Sequence, residues 1–195
     1  PGTISLTAET IVKVHMETVE SFVQNGSKRF IFMNSHGGNR AITTFIVDQI
    51  NQKTAAVAVD FSVAVSPFLK PENTKNTTSL DRHAGVSETC DSLYLMPSLV
   101  EIERATDPGM KLPKHLEKML PEVIKEEPTA KLLFLSEALK AAETGKKTST
   151  IEMTKTGVWG ELNPKQATVE RGEERVSKMV AACRGFIDKW NELTQ

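Results

Sequence analysis

The sequence has 195 residues, of which 39% are hydrophobic, and a formal net charge of −1 at pH 7. This length suits one domain or a large part of one, and no segment approaches the roughly 20 apolar residues of a membrane span. Interspersed charges of both signs give no support for a surface that binds nucleic acid or anionic lipid. No signal peptide is visible, and Cys90 and Cys183 form no zinc-type spacing, so we expect a cytoplasmic protein with reduced thiols.

Alternating helix and strand patterns open the chain. Thr7 is a predicted N-cap for a helix that stops near Gly26. The apolar run 29–33 predicts a buried strand, residues 40–50 a second helix, and residues 54–60 a second strand. This order favours an α/β fold, with a parallel sheet and helices on its faces.

The segment 34–39, Asn-Ser-His-Gly-Gly-Asn, lies between the first strand and the second helix. In open α/β sheets such turns lie at the carboxyl ends of strands, where sites collect. His36 can bind a metal or move a proton, while Gly37 and Gly38 let the backbone approach a ligand closely. Asn39 can cap the following helix. The alternative is a turn histidine that bonds the backbone beside glycines with positive φ.

A second motif follows a polar stretch, residues 66–79, that we predict to be a loop. It reads Asp-Arg-His-Ala-Gly-Val-Ser-Glu-Thr-Cys over residues 81–90. A helix is predicted from Gly85 or Val86 to Met96, with His83 just before it and Glu88 in its first turns, where a carboxylate is favoured. The alternatives are a capping or loop role for His83 and helix electrostatics for Glu88. For Cys90, a small buried residue is favoured over a reactive thiol.

The remaining chain is predicted to be mostly helical. Residues 130–143 read as a helix, 151–154 as a short strand, and 163–193 as a last helix that Asn163 caps. Between the last two, the glycine-bounded loop 156–160 carries Trp159. Its ring either stacks on a substrate or packs in the core or an interface.

Two histidines and a carboxylate thus stand at predicted element ends. Histidine nitrogen and carboxylate oxygen suit a divalent ion such as zinc or manganese, although these ligands alone do not complete a site. The two motifs together resemble the C-terminal signature motifs of the creatininase (creatinine amidohydrolase) family. Residues 1–6 also resemble that family, as do positions in the C-terminal part: Gly157, Val158, Gly160, Pro164, Ala167 and Gly172.

The resemblance implies a three-layer α/β/α sandwich around a mostly parallel sheet, often assembled as a hexamer. It implies a dinuclear site for zinc or manganese, or for iron, where metal-activated water hydrolyses an amide C–N bond of a cyclic or small molecule. By position it makes His36 a metal ligand, Glu88 a metal ligand or its close support, and His83 the residue that transfers a proton or positions the substrate. The remaining predicted substrate-side residues are Gly37, Gly38, Asn39 and Trp159.

Two departures from the family pattern shape what we expect. Nothing here corresponds to the family's earlier Glu-x-His pair and bridging aspartate, and Val86 stands where glutamate is usual. We therefore expect one creatininase-like domain over residues 1–195 that lacks its first strand and ligand segment. An N-terminal fragment or a second subunit would supply those ligands within a homo- or hetero-oligomer. The alternatives are a non-catalytic structural subunit of a heteromeric complex, and a family member that hydrolyses a peptide or formamide.

Overall fold

The computed structural model describes residues 6–69, 80–81, 83–112, 114–138 and 154–194. The chain forms two compact units, one made of Pro1–Lys70 with Met179–Gln195 and the other of Pro71–Lys178. The single domain expected over residues 1–195 stays a prediction. Among the described helices, none combines the length and apolar character that crossing a membrane requires.

The first unit contains the predicted strand and helix alternation. Helix α1 (Ala8–Gln24) begins at Thr7, whose side chain accepts a hydrogen bond from the Thr10 backbone N–H, so the predicted cap is confirmed. The remaining elements of this part are β1 (Arg29–Phe32), α2 (Arg40–Lys53), β2 (Val57–Asp60) and the short α3 (Phe61–Val65). Strand β1 pairs with β2 in parallel, which confirms the α/β class.

Helix α2 is fastened to β2 by packing and by one side chain. Ile46 and Ile50 of α2 are buried in a cluster with Ala56 and Ala58, to which Val19 of α1 also belongs. The Asn51 amide bonds both backbone groups of Ala58, at 2.7 and 2.9 Å. This pairing satisfies polar groups beside a buried strand, where an unpaired backbone group is costly.

The second unit is largely helical. It holds α4 (Val86–Leu95), α5 (Lys114–Glu117), α6 (Leu120–Ile124) and α7 (Pro128–Ala138). Its hydrophobic cluster consists of buried side chains from these helices and from the segments around residues 80 and 159: Leu80, Leu116, Val123, Phe134 and Trp159. Three predictions reach outside the described ranges: the end of the 130–143 helix, residues 151–153 of the short strand, and residues 70–79 of the polar loop.

The last helix, α8 (Val169–Thr194), begins later than predicted. Asn163 caps a 3-10 turn, Pro164–Gln166, by accepting a hydrogen bond from the Lys165 N–H, and α8 follows after this turn. Helical spacing in the sequence predicts a buried stripe on this helix: Val176, Met179, Val180, Cys183, Phe186, Ile187 and Trp190. This prediction is partly wrong, because Met179, Val180 and Ile187 are 40%, 61% and 38% exposed. Periodicity identified an apolar face on this helix but not which of its residues are covered.

Helix α8 approaches α4 closely at its first turns. A β-carbon at Gly172 would stand 2.0 Å from the backbone oxygen of Cys90, so glycine is required at this contact. The Arg175 guanidinium pairs with the Asp91 carboxylate at 2.9 Å beside the same contact. These contacts hold the helix that carries Glu88 within the second unit.

Candidate active site

His36 caps a turn at the carboxyl end of β1. Its Nδ1 atom accepts a hydrogen bond from the Gly38 N–H at 3.0 Å, and its own N–H donates to Asn34 Oδ1 at 3.1 Å. The 3-10 turn Gly37–Asn39 follows and leads directly into α2. The backbone-bonded turn histidine considered from the sequence is therefore present. Its positive-φ glycines are not, because φ of Gly37 and Gly38 lies outside that region.

Gly38 is what allows the His36 ring to take this position. A β-carbon at position 38 would stand 2.9 Å from both Cε1 and Nδ1 of His36, whereas one at Gly37 would meet nothing within 4 Å. A separation of 2.9 Å is shorter than the usual contact distance of a carbon atom to a non-bonded carbon or nitrogen atom. The two glycines therefore differ: position 38 makes room for the ring, and position 37 does not.

Asn39 occupies the N-cap position of α2 but makes no capping hydrogen bond through its side chain. Its φ of −89° and ψ of −5° are already helical, whereas a capping side chain needs an extended backbone. The predicted cap is therefore wrong. His36, whose backbone is extended with φ of −131°, caps the turn instead.

An open cleft of about 510 Å³ borders the turn. His36, Gly37 and Arg40 line one part of it, and the chain that follows β2 lines another. This volume is in the range of small-molecule sites. The cleft lies at the carboxyl ends of the two parallel strands, as the strand order predicted.

Asp60 is a buried carboxylate at this edge that sequence reasoning missed. It ends β2 and lies in register with Phe32, the last residue of β1. Its Oδ1 atom accepts hydrogen bonds from the backbone N–H and the hydroxyl of Ser62, at 2.8 and 2.5 Å. An aspartate at the end of an apolar strand, two residues before a serine, is the sequence signal that could have identified it.

The second motif forms a set of carboxylate contacts around the first turn of α4. Asp81 Oδ2 accepts a hydrogen bond from the Ser87 N–H at 2.9 Å, and Glu88 Oε2 accepts one from the Ala84 N–H at 2.8 Å. Ala84 has φ of 49°, a left-handed conformation that is costly outside glycine. The prediction that Glu88 lies in the first turn is confirmed, and its exposed carboxylate stands where the helix dipole favours negative charge.

His83 is held to Trp159 by backbone and by ring. The two residues form an antiparallel bridge, with N–H to O distances of 3.2 and 2.8 Å. Their rings stack with centroids 5.9 Å apart and planes inclined by 18°. Trp159 is 7% exposed and also stacks on Phe134, so the core alternative describes its surroundings. Its substrate-binding role stays a prediction.

The imidazole of His36 and the carboxylate of Glu88 are donors of the kind that a divalent metal binds, but the orientation of the His36 ring does not suit a metal ligand. Nδ1 of His36 accepts a hydrogen bond from a backbone N–H, so a neutral ring carries its proton on Nε2 and its acceptor nitrogen is already engaged. A metal-bound histidine instead binds the metal through one nitrogen and usually donates its N–H from the other. His36 can therefore serve as a ligand once its exposed ring turns away from Gly38. Glu88 needs no such change, since the hydrogen bond from Ala84 engages one of its two oxygens.

The predicted site residues divide between the two units. His36, Gly37, Gly38 and Asn39 lie in the first, and the second contains the others: His83, Glu88 and Trp159. The structure brings His83 together with Trp159, and the convergence of His36 with Glu88 stays a prediction. In the part of the chain that the structure describes, no three histidine, cysteine, aspartate or glutamate side chains are grouped so that they could hold a metal.

Comparisons with known proteins agree with the sequence motifs. The profile of the family described as Creatininase, creatinine amidohydrolase, matches residues 1–187. A creatinine amidohydrolase of Pseudomonas putida is 29% identical over 123 residues, which cover 55% of this chain and 45% of that protein. The chain thus spans less than half the length of this curated relative.

Solved structures show the same fold. A candidate creatinine amidohydrolase from Bacteroides fragilis NCTC 9343 matches with a TM-score of 0.58 and 22% identity, over 95% of this chain and 63% of that one. A creatininase variant of the Zn-Zn type matches with a TM-score of 0.58 and 21% identity, over 98% of this chain and 66% of that one. The creatininase-like fold expected from the sequence is confirmed.

Proposed function

This chain belongs to the creatininase family, and we propose that it is, or is part of, a metal-dependent amidohydrolase that breaks a C–N bond of a cyclic or small-molecule amide. The observation that carries the proposal is the family match over residues 1–187, which includes both motifs. The position of His36 at a strand end, beside an open cleft, supports it.

We propose that the metal is zinc, manganese or iron, bound as a dinuclear centre, and that this chain contributes His36 and Glu88 as ligands. A Zn-Zn type creatininase among the structural neighbours supports this assignment. When bound, a divalent ion polarises an amide carbonyl and activates a water molecule as nucleophile. Imidazole nitrogen and carboxylate oxygen are suitable donors for zinc and manganese.

His83 is the proposed proton-transfer residue. Histidine is the side chain that most often serves as general acid or base, and hydrolysis requires a proton for the departing nitrogen. The bridge to Trp159 fixes the His83 backbone, so the imidazole is presented from a defined point. In this proposal the imidazole receives a proton from the attacking water and passes it to the leaving amine.

The substrate is proposed to lie against the turn that follows β1. Gly37, Gly38 and Asn39 form this turn. For Trp159, the fourth predicted substrate-side residue, burial favours the core alternative. The family's Glu-x-His pair and bridging aspartate would come from an N-terminal fragment or a second subunit, in a hexamer-like homo- or hetero-oligomer. The chain spans 63–66% of the length of these two solved relatives.

A second candidate is a non-catalytic subunit of such an assembly. The observation that favours it is Val86, a side chain 2% exposed where the family usually carries glutamate. A buried valine can neither bind a metal nor activate water. This candidate and the enzyme differ in metal content and turnover.

The test measures bound metal and hydrolysis on the protein as purified with whatever copurifies. Metal content by mass spectrometry and hydrolysis of creatinine and other cyclic amides would be compared for wild type, His36→Ala and His15→Ala. His15 is the matched control, an exposed histidine whose Nδ1 atom lies 2.8 Å from the Ile11 carbonyl oxygen. We expect metal and turnover to fall only in the His36 variant. Equal metal content in all three proteins would refute the ligand assignment, and metal-free, inactive wild type would favour the non-catalytic subunit.

A further inference from the structure

We infer that Trp159 is a positioning residue for His83 and holds the imidazole in the orientation that proton transfer requires. The inference rests on the proposed role of His83 and differs from a substrate-stacking role for the indole. Its starting point is that His83 and Trp159, distant in the sequence, are joined by two backbone hydrogen bonds of 3.2 and 2.8 Å. These bonds fix where the His83 side chain leaves the backbone.

The indole then determines where the ring lies. The imidazole and indole centroids are 5.9 Å apart, with an angle of 18° between the planes. Aromatic pairs at this separation attract beyond the area that they bury. Among the described residues, no hydrogen bond engages the His83 ring nitrogens, so stacking is the described contact that orients the ring while leaving both nitrogens available.

Trp159 is itself rigidly placed, as a positioning residue must be. Its side chain is 7% exposed and stacks on Phe134 with centroids 6.4 Å apart. Gly157, two residues earlier, has φ of 87°, and its N–H donates to Thr154 Oγ1 at 2.6 Å. This turn and the bridge to His83 fix the backbone on both sides of Val158.

A buried indole is poorly placed to receive a substrate ring. Its ring already stacks on the rings of His83 and Phe134, with planes inclined by 18° and 20°. Its Nε1–H is buried and has no hydrogen-bond partner among the residues that the structure describes. Burying such a donor costs free energy that a leucine in the same place would not cost, so filling the core does not by itself require an indole here.

The experiment uses proton NMR of the histidine ring. The chain has four histidines, so the His83 signals are assigned by their loss in His83→Gln. A stacked indole shields the imidazole protons and displaces their signals upfield from the positions in urea-unfolded protein. We expect this displacement in wild type, together with cross-relaxation between the two rings.

Three variants separate positioning from core packing. Trp159→Leu should abolish the displacement, Trp159→Phe should retain part of it, and Leu116→Ala should leave it unchanged. Leu116 is the control because it is fully buried in the same cluster and has no described contact with His83. An undisplaced His83 signal in wild type would overturn the inference, and this result does not depend on whether Trp159→Leu folds. Equal effects of Trp159→Leu and Leu116→Ala on the signal would also overturn it.

Turnover gives a second readout. Trp159→Leu should lower kcat by about 10- to 100-fold, the scale of a misplaced catalytic group, with KM little changed and metal retained. A substrate-stacking role would instead raise KM and would overturn the inference. The ring-proton signals do not depend on hydrolysis, so failure of the proposed function and failure of the positioning role remain distinguishable.

Discussion

The Oδ1 atom of Asp81 occupies the space that a side chain at Gly85 would need, because a β-carbon there would stand 1.7 Å from it. The other oxygen of the same carboxylate accepts the hydrogen bond from the Ser87 N–H. Gly85 has φ of −77°, so its backbone conformation suits any residue, and the constraint is purely one of space. The glycine of the second motif thus lets the aspartate reach the first turn of α4.

Gly85→Ala should therefore displace Asp81 and destabilise the protein. Overpacking at a tight contact costs about 1–3 kcal/mol, and we expect a loss of unfolding free energy in that range. The matched control is Gly37→Ala, where a β-carbon has open space. Urea denaturation of both variants provides the measurement. Equal stability of the two alanine variants would show that the Asp81 contact is not tight in solution.

Gly38→Ala should move the His36 ring while Gly37→Ala leaves it in place. The reason is the 2.9 Å approach that a β-carbon at position 38 would make to Nδ1 and Cε1 of His36. Nitrogen NMR of the imidazole reports the protonated nitrogen. We expect a neutral ring in wild type and in Gly37→Ala to be protonated on Nε2 with Nδ1 hydrogen-bonded, and the signal of that hydrogen bond at Nδ1 to disappear in Gly38→Ala. A wild-type ring protonated on Nδ1 would contradict the hydrogen bond from Gly38.

His83→Ala should lower turnover and leave bound metal unchanged. Loss of a general acid or base costs about 10²–10⁴-fold in rate, and His83 is not a proposed ligand. The measurements are kcat and metal content on the same preparation. Metal loss in this variant would mean that His83 is a ligand.

Substitution of Glu88 should lower metal affinity. Two variants separate the loss of its negative charge from the loss of its hydrogen bond with the Ala84 N–H. Glu88→Gln keeps an oxygen that can accept the Ala84 N–H, and Glu88→Ala removes it. We expect weaker metal binding in both variants, and lower stability only in the alanine variant. Calorimetric titration with zinc and urea denaturation provide the two measurements. Unchanged zinc affinity in Glu88→Gln would leave Glu88 with a structural role alone.

Cys90 should react more slowly than Cys183 with a thiol reagent. Cys90 is 0% exposed, and its Sγ atom lies 3.4 Å from the Thr168 N–H, whereas Cys183 is half-buried. A thiolate must be reached by the reagent before its nucleophilicity matters. Labelling by dithionitrobenzoate, with Cys90→Ala and Cys183→Ala to assign the phases, provides the measurement. A fast phase that disappears in Cys90→Ala would contradict the buried position.

Signals that act within a few residues were predictable from the sequence. The Thr7 cap, the alternation that leads to parallel β1 and β2, and the position of Glu88 in the first turn of α4 all follow from local pattern. The favoured structural role of Cys90 also agrees with its burial. The cap and the position of Glu88 depend on hydrogen bonds and spacing inside one element, which neighbouring residues determine, and the strand pairing follows from the order of the elements.

Features set by neighbouring turns were not predictable in this way. Asn39 has a side chain that could cap a helix, yet it is the last residue of the 3-10 turn Gly37–Asn39, so its backbone is already helical and His36 provides the cap. The apolar stripe of α8 is present in the sequence, but Val180 is exposed in the structure. Periodicity identifies an apolar face and does not state which element covers each of its residues.

Only the tertiary structure decided the environment of His83. Its partner Trp159 is far away in the sequence, and the core that buries this tryptophan comes from separate helices. The same holds for Gly172 against Cys90 and for Asp60 beside the end of β1. The sequence determined which side chains can perform the chemistry. Their orientation depends on long-range packing, whose energy is shared among contacts that no local pattern specifies.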